Sequence, residues 1–171
     1  MKLLIVLGAF LLGAVWGLTS DNLVNNGNFA DINADGSVAA WHIWPEPPHP
    51  TASAAPDTTV NWSAGRSMRI AQSRMDTYTR IQQLHIPCKP HTKYVASFQA
   101  KGIDLCSKTA GGARLFIGSD GELNTALTSF GPGIEWLHTK PKQPWSFDWK
   151  YYQSDVFNSG NSKELGVTAY L

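Results

Sequence analysis

The stretch Thr92 to Lys101 reads TKYVASFQAK, in which Tyr94, Ala96, Phe98 and Ala100 alternate with Val95, Ser97, Gln99 and Lys101. Successive side chains of a strand point to opposite faces, so this alternation predicts a half-buried strand with one apolar face. Upstream, Ile81 to Ile86 (IQQLHI) partly alternates and predicts a second strand, with Pro87 and Pro90 interrupting the chain between the two. Downstream, Arg114 to Ile117 is a short apolar strand ending at Gly118, Ser119, Asp120 and Gly121, a run that reads as a hairpin turn. Trp145, Phe147, Trp149 and Tyr151 recur at period two and predict an aromatic strand face. No apolar 3.6-residue period lasts the roughly ten to twelve residues that a helix assignment needs. The expected class is all-β, and short strands separated by turn clusters predict a β-sandwich with the jelly roll as its leading form.

Composition narrows the function classes. The chain has 171 residues, 14 Lys plus Arg against 13 Asp plus Glu, and a formal charge of +1. That length suits one domain, and 11% aromatic with 16% charged residues excludes the signature of disorder. No basic surplus is available to displace counterions, so nucleic acid and anionic lipid are not expected partners. Three long irregular stretches are expected at Pro45 to Asp57, Gly102 to Gly112 and Gly131 to Pro144, where binding residues tend to concentrate.

The N-terminus reads as a targeting segment. Lys2 precedes an unbroken apolar run from Leu3 to Leu12, and small residues follow before Thr19 and Ser20, the order of a secretory signal. The run is shorter than the roughly 20 residues of a membrane-spanning helix. Residues 1–20 are therefore expected to be removed, leaving residues 21–171 as a secreted, formally neutral domain with no membrane attachment. Export permits a Cys88–Cys106 disulfide, although the intervening strand forces a nearly taut return path, and the spacing leaves that bridge open. Asn61, Trp62 and Ser63 form an N-glycosylation sequon.

Five landmarks occur in order. Asn22 to Phe29 reads NLVNNGNF and is followed by Gly36 and the pair Ala40, Trp41. Then come Gly65 to Ile70 (GRSMRI), Ile81 to Pro87, Thr92 to Lys101, and Trp149 to Phe157. This series resembles the jelly-roll carbohydrate-binding modules of families four, nine, sixteen and twenty-two, which have a galactose-binding-like β-sandwich. The resemblance implies a module that binds polysaccharide or glycan and targets a fused hydrolase to its substrate. It also implies a closing strand beyond Leu171, and an acidic residue where this chain has Ala30. Asp31, Asp35 and backbone carbonyls are the oxygen ligands left for the structural calcium those modules often hold. No other cofactor is expected.

A sugar presents a flat C–H face and a rim of hydroxyls, so its site needs exposed aromatic planes beside amide, carboxylate or guanidinium groups. Trp41 and Trp149 occupy family landmarks and are expected in the core. Trp44, Trp62, Trp136 and Trp145 lie in or beside the long loops and are the candidate stacking platforms. Gln99, with Ser97, would share the strand face opposite Tyr94 and Phe98, a face that forms a sugar groove in the resembling modules. Tyr78, Arg80 and Gln83 would line the adjacent strand, with Gln82 replacing Gln83 if the register falls the other way.

Catalysis finds less footing. Asp120 and Glu122 read as turn residues rather than an acid and base pair, and the five histidines show no metal-ligand spacing. No G-x-S-x-G elbow is present. The expectation is a secreted, non-catalytic glycan-binding module. Two rivals are an extracellular adhesion sandwich and a glycoside hydrolase or lyase fragment, the latter requiring Asp120 or Glu122 to face Glu135 or Asp148.

Overall fold

A computed structural model describes residues 3–14, 22–44, 50–61, 66–72, 79–105, 114–121, 123, 125–131 and 145–170. Those residues form strands and no helix: β1 (Leu3–Ala14), β2 (His42–Trp44), β3 (Ala52–Asp57), β4 (Ser67–Gln72), β5 (Arg80–Pro87) and β6 (Lys93–Leu105). They continue with β7 (Arg114–Ser119), β8 (Ala126–Phe130), β9 (Trp145–Gln153), β10 (Phe157–Asn158) and β11 (Glu164–Tyr170). Two antiparallel sheets result. A five-stranded sheet runs β2-β5-β11-β7-β8, and a six-stranded sheet runs β10-β6-β1-β4-β3 with β9 also paired to β6. The chain is thus an all-β sandwich, as the alternation predicted.

The apolar half of each alternating strand faces the other sheet. Tyr94, Ala96, Phe98 and Ala100 of β6 and Met68 and Ile70 of β4 are buried from one side. Ile81 and Ile86 of β5, Leu115 and Ile117 of β7, and Leu165, Val167 and Ala169 of β11 are buried from the other. Phe98 ties the layers, its ring centroid 5.3 Å from Tyr152 in its own sheet and 5.4 Å from Phe130 in the opposite one. Each such large side chain contributes about 1.5–3 kcal/mol on burial, so a polar residue at Phe98 would open the sandwich at its middle.

The NLVNNGNF segment closes one end of this core. Asn26, at φ 49°, spans the loop: its Nδ2 donates to Asp31 O and to Ala39 O, both at 2.9 Å, while its Oδ1 accepts from Asp31 N at 3.0 Å. Trp41 Nε1 donates to Asn26 O at 3.2 Å, and the rings of Phe29 and Trp41 pack at 5.3 Å. The landmark residues are therefore core and turn positions, with Trp41 buried as expected and Trp149 only half-buried.

Leu3–Ala14, the apolar run of the expected leader, forms β1 in the intact chain, antiparallel to β4 through Leu3–Leu7 and to β6 through Leu4–Ala14. Three expectations change. Ala52–Asp57, placed in an irregular stretch because of its prolines, is a strand at the sheet edge. An edge strand has one side free of ladder bonds, which is where Pro56 is tolerated. Strand β6 also runs on to Leu105, into the second stretch read as irregular.

The third change concerns the aromatic face of β9, which is divided. Register shifts beside Gly102 break the period, so Phe147 packs on the core 6.3 Å from Tyr152, whereas Tyr151 is 52% exposed.

Candidate functional site

Parity assigns the outer face of the five-stranded sheet. Ile43, Ile81, Ala169, Leu115 and Phe130 are register partners across all five strands, and they pack in or against the core. The flanking rows must then face outward. One outer row carries Trp44, Arg80 and Arg114; the next is His42, Gln82, Thr168, Phe116 and Ser129. Aromatic, guanidinium, amide and hydroxyl groups are interleaved there, with Trp44, Arg80, Gln82, Arg114, Phe116 and Ser129 all half-buried.

The first row is partly organised in advance. The Arg80 guanidinium carbon lies 4.3 Å from the Trp44 ring centroid, a cation–π contact that fixes both side chains. Burial lowers the Arg114 guanidinium from its ordinary pKa, because desolvation disfavours the charged form. In the second row the Thr168 hydroxyl is spent on Ile81 O at 3.1 Å. By contrast, Arg80 Nε, Gln82 Oε1 and Ser129 Oγ are shielded from solvent and have no hydrogen-bond partner. Each such atom carries a cost of about 1–3 kcal/mol, so this face is under-satisfied.

The expected site residues divide accordingly. Trp44 and Arg80 meet on this face. Gln83 does not belong to it and is corrected: it is buried at 6% exposure, and both ends of its amide are engaged. Its Oε1 accepts from Asn25 N at 2.9 Å, and its Nε2 donates to Asn25 O at 2.9 Å and Ala40 O at 3.1 Å. The inward register puts Gln83 beneath the opening loop as a bracket and leaves Gln82 pointing out.

Gln99 lies on β6 in the other sheet, on the face away from Tyr94 and Phe98, beside Tyr151 in register. Trp145 opens β9 opposite Leu105. Trp62, Tyr78 and Trp136 lie outside the described residues. Arg114, Phe116 and Ser129 were missed, yet a signal existed for the first two, because Leu115 and Ile117 facing inward sends Arg114 and Phe116 outward.

A second group of reactive side chains sits at one end of the five-stranded sheet. His85 Nδ1 and Glu164 Oε2 are 2.8 Å apart, and Ser162 Oγ donates to Asp120 Oδ1 at 3.0 Å. Cys88 is a free thiol donating to Ser162 O at 3.3 Å. Burial, then the charges of Glu164 and Asp120, push its pKa up, which disfavours the thiolate a nucleophile needs. Cys106 lies outside the described residues. Asp120 and Gly121, at φ 59° and 70°, form the turn after β7, and a Cβ at Gly121 would come within 2.6 Å of both Glu164 and His85.

Glu122 and Glu135 lie outside the described residues, and Asp148, on the other sheet, pairs with Lys101 at 2.9 Å. Asp35 Oδ1 accepts from Ser37 N at 2.9 Å and Ser37 Oγ at 2.6 Å. Among the described residues no three His, Cys, Asp or Glu side chains cluster as a metal site. The chain matches no family model, no curated protein and no solved structure.

Proposed function

We propose that this chain is a non-catalytic glycan-binding sandwich of the galactose-binding-like jelly-roll type, and that the outer face of its five-stranded sheet is the binding face. One observation carries the reading: Trp44, Arg80, Gln82, Phe116 and Ser129 share adjoining outer rows, and three of their polar atoms lack partners. Aromatic planes suit the C–H face of a sugar ring, and the unpaired donor and acceptors suit its hydroxyl rim. Each exchanged hydrogen bond yields only about 0.5–1.5 kcal/mol net, so binding at one site is weak and gains from tethering to a hydrolase.

Titration of the full chain with glucan, xylan, mannan, chitin and polyuronate oligosaccharides, followed by tryptophan fluorescence, tests the reading. A saturable, ligand-specific change that weakens about tenfold in Trp44→Ala, with the circular dichroism spectrum unchanged, is the expected result. Silence across the panel from folded protein would discard it.

A further inference from the structure

We propose that the place of β1 is an acceptor slot for an extended strand donated in trans by another polypeptide. β1 lies inside the six-stranded sheet, paired at five positions to β4 and at nine to β6, and it is antiparallel to both. β4 and β6 therefore run parallel to each other, with their backbones two inter-strand steps of about 4.8 Å apart. Taking β1 away leaves two facing rows of unpaired ladder donors and acceptors. It also opens the core beside Met68, Ile70, Ala96, Phe98 and Ala100, each at most 1% exposed in the intact chain. Pairing β4 directly with β6 would move β4 by a whole strand spacing and pull Met68 and Ile70 out of the core they share with the opposite sheet.

The strand that fills this gap is also the one with the residue order of a secretory leader, so export takes away what the sheet needs at its centre. A donated strand reconciles the two, because main-chain ladder bonds supply affinity and alternate side-chain positions supply selectivity. The slot states the chemistry of its donor. The inward row of β6 alternates large and small as Tyr94, Ala96, Phe98 and Ala100, and the register sets Ala14, Leu12, Phe10 and Leu7 opposite them. Leucines thus stand opposite both alanines, and an alanine stands opposite Tyr94. The intervening positions stand opposite Ser97 and Lys101 of β6, and Val6 lies in register between Lys101 and the exposed Arg69 of β4. The fitting partner is an antiparallel strand that alternates, with large apolar residues opposite Ala96 and Ala100 and a polar or acidic one between Arg69 and Lys101.

The test uses the full chain with a protease recognition sequence inserted between Ala14 and Asn22, cleaved after folding and then refolded from urea with an excess of labelled peptide. The peptide has the Leu3–Ala14 sequence with Val6→Glu. It should bind one to one by fluorescence anisotropy and native mass spectrometry. Adding Leu7→Asp and Leu12→Asp, at the positions opposite Ala100 and Ala96, should weaken it at least about a hundredfold. A cleaved protein that sheds Leu3–Ala14, refolds alone as a monomer and takes up no labelled peptide would overturn the proposal, because the sheet then closes on itself. Refolding alone into a dimer would overturn it in favour of a second copy as the occupant. Equal binding of the two peptides, or aggregation whichever peptide is present, would overturn it as well. The glycan reading is tested on the uncleaved chain and stands or falls separately.

Discussion

The two outer faces of the sandwich treat their polar groups differently. Among the described side chains of the six-stranded sheet, Lys101 Nζ meets Asp148 Oδ1 at 2.9 Å and the Tyr151 hydroxyl donates to Gln153 Oε1 at 2.7 Å, while Gln99 Oε1 is left over. On the five-stranded sheet, Arg80, Gln82 and Ser129 each keep a shielded polar atom without a partner. A self-satisfied face gains little from a ligand, because every new bond replaces an existing one. An under-satisfied face gains the whole bond, and that difference is why the five-stranded face is the one proposed as the site.

The sheets also differ at their centres. Strand β11 alternates Leu165, Val167 and Ala169 inward with polar or small residues outward, whereas β1 is an almost continuous apolar run. Deleting residues 1–20 should therefore have the largest effect. It removes a strand paired over five positions to β4 and nine to β6, detaching β3 and β4 from β6. The melting temperature should fall by more than about 10 °C, given several kcal/mol of lost pairing and burial. Calorimetry of the full and shortened chains decides it. A matching melt would show that β1 is dispensable to the fold, as a removable leader requires.

The two faces of β5 give the next contrast, through adjacent glutamines. Gln83→Leu keeps the volume but orphans Asn25 N, Asn25 O and Ala40 O, and should cost about 3 kcal/mol in urea unfolding. Gln82→Leu removes an acceptor that has no partner, so its cost should stay within about 1 kcal/mol and can be negative. Glycan affinity should respond in the reverse order. Equal destabilisation by the two variants would remove the distinction between bracket and binding face.

How much of this was legible depended on what each strand had to say locally. β5, β6 and β7 announce themselves, because one side of each is apolar and the period of two survives in the sequence. β3 does not, since Ala, Ser and Pro dominate it and only its place at the sheet edge makes Pro56 acceptable. The Gln82 and Gln83 choice turned on one residue of register. It is settled by Ile81 packing inward and by the bulge at His85, at φ 54°, which restores Ile86 to the core. The period-two aromatics of β9 misled for the same reason, because shifts in the β6–β9 register reassign their faces. Arg114 sharing a row with Arg80 across β11 depends on three strands that are distant in sequence, and no local pattern carries it.

The smallest expected effect concerns pH and again separates the sheets. Asp57, at the end of edge strand β3, accepts at Oδ1 from Thr59 Oγ1 and Thr59 N, both at 2.7 Å, and from Val60 N at 3.2 Å. The Thr59 hydroxyl, aided by those backbone amides and by the charge of Arg69, lowers its carboxyl pKa despite partial burial. Lys101 lowers Asp148 in the same sheet. A depressed folded-state pKa means stability that is complete above the ordinary carboxylate value of about 3.9 and is lost as pH falls through the folded value. The urea midpoint of the wild type should accordingly fall more steeply below about pH 4 than that of Asp57→Asn, which cannot titrate. Gln82→Leu, in an outer row that holds no described carboxylate, should keep the wild-type slope. Parallel profiles for wild type and Asp57→Asn would show that the β3 turn contributes nothing to acid sensitivity. A steeper profile in the Asn variant would reverse the sign that these hydrogen bonds require.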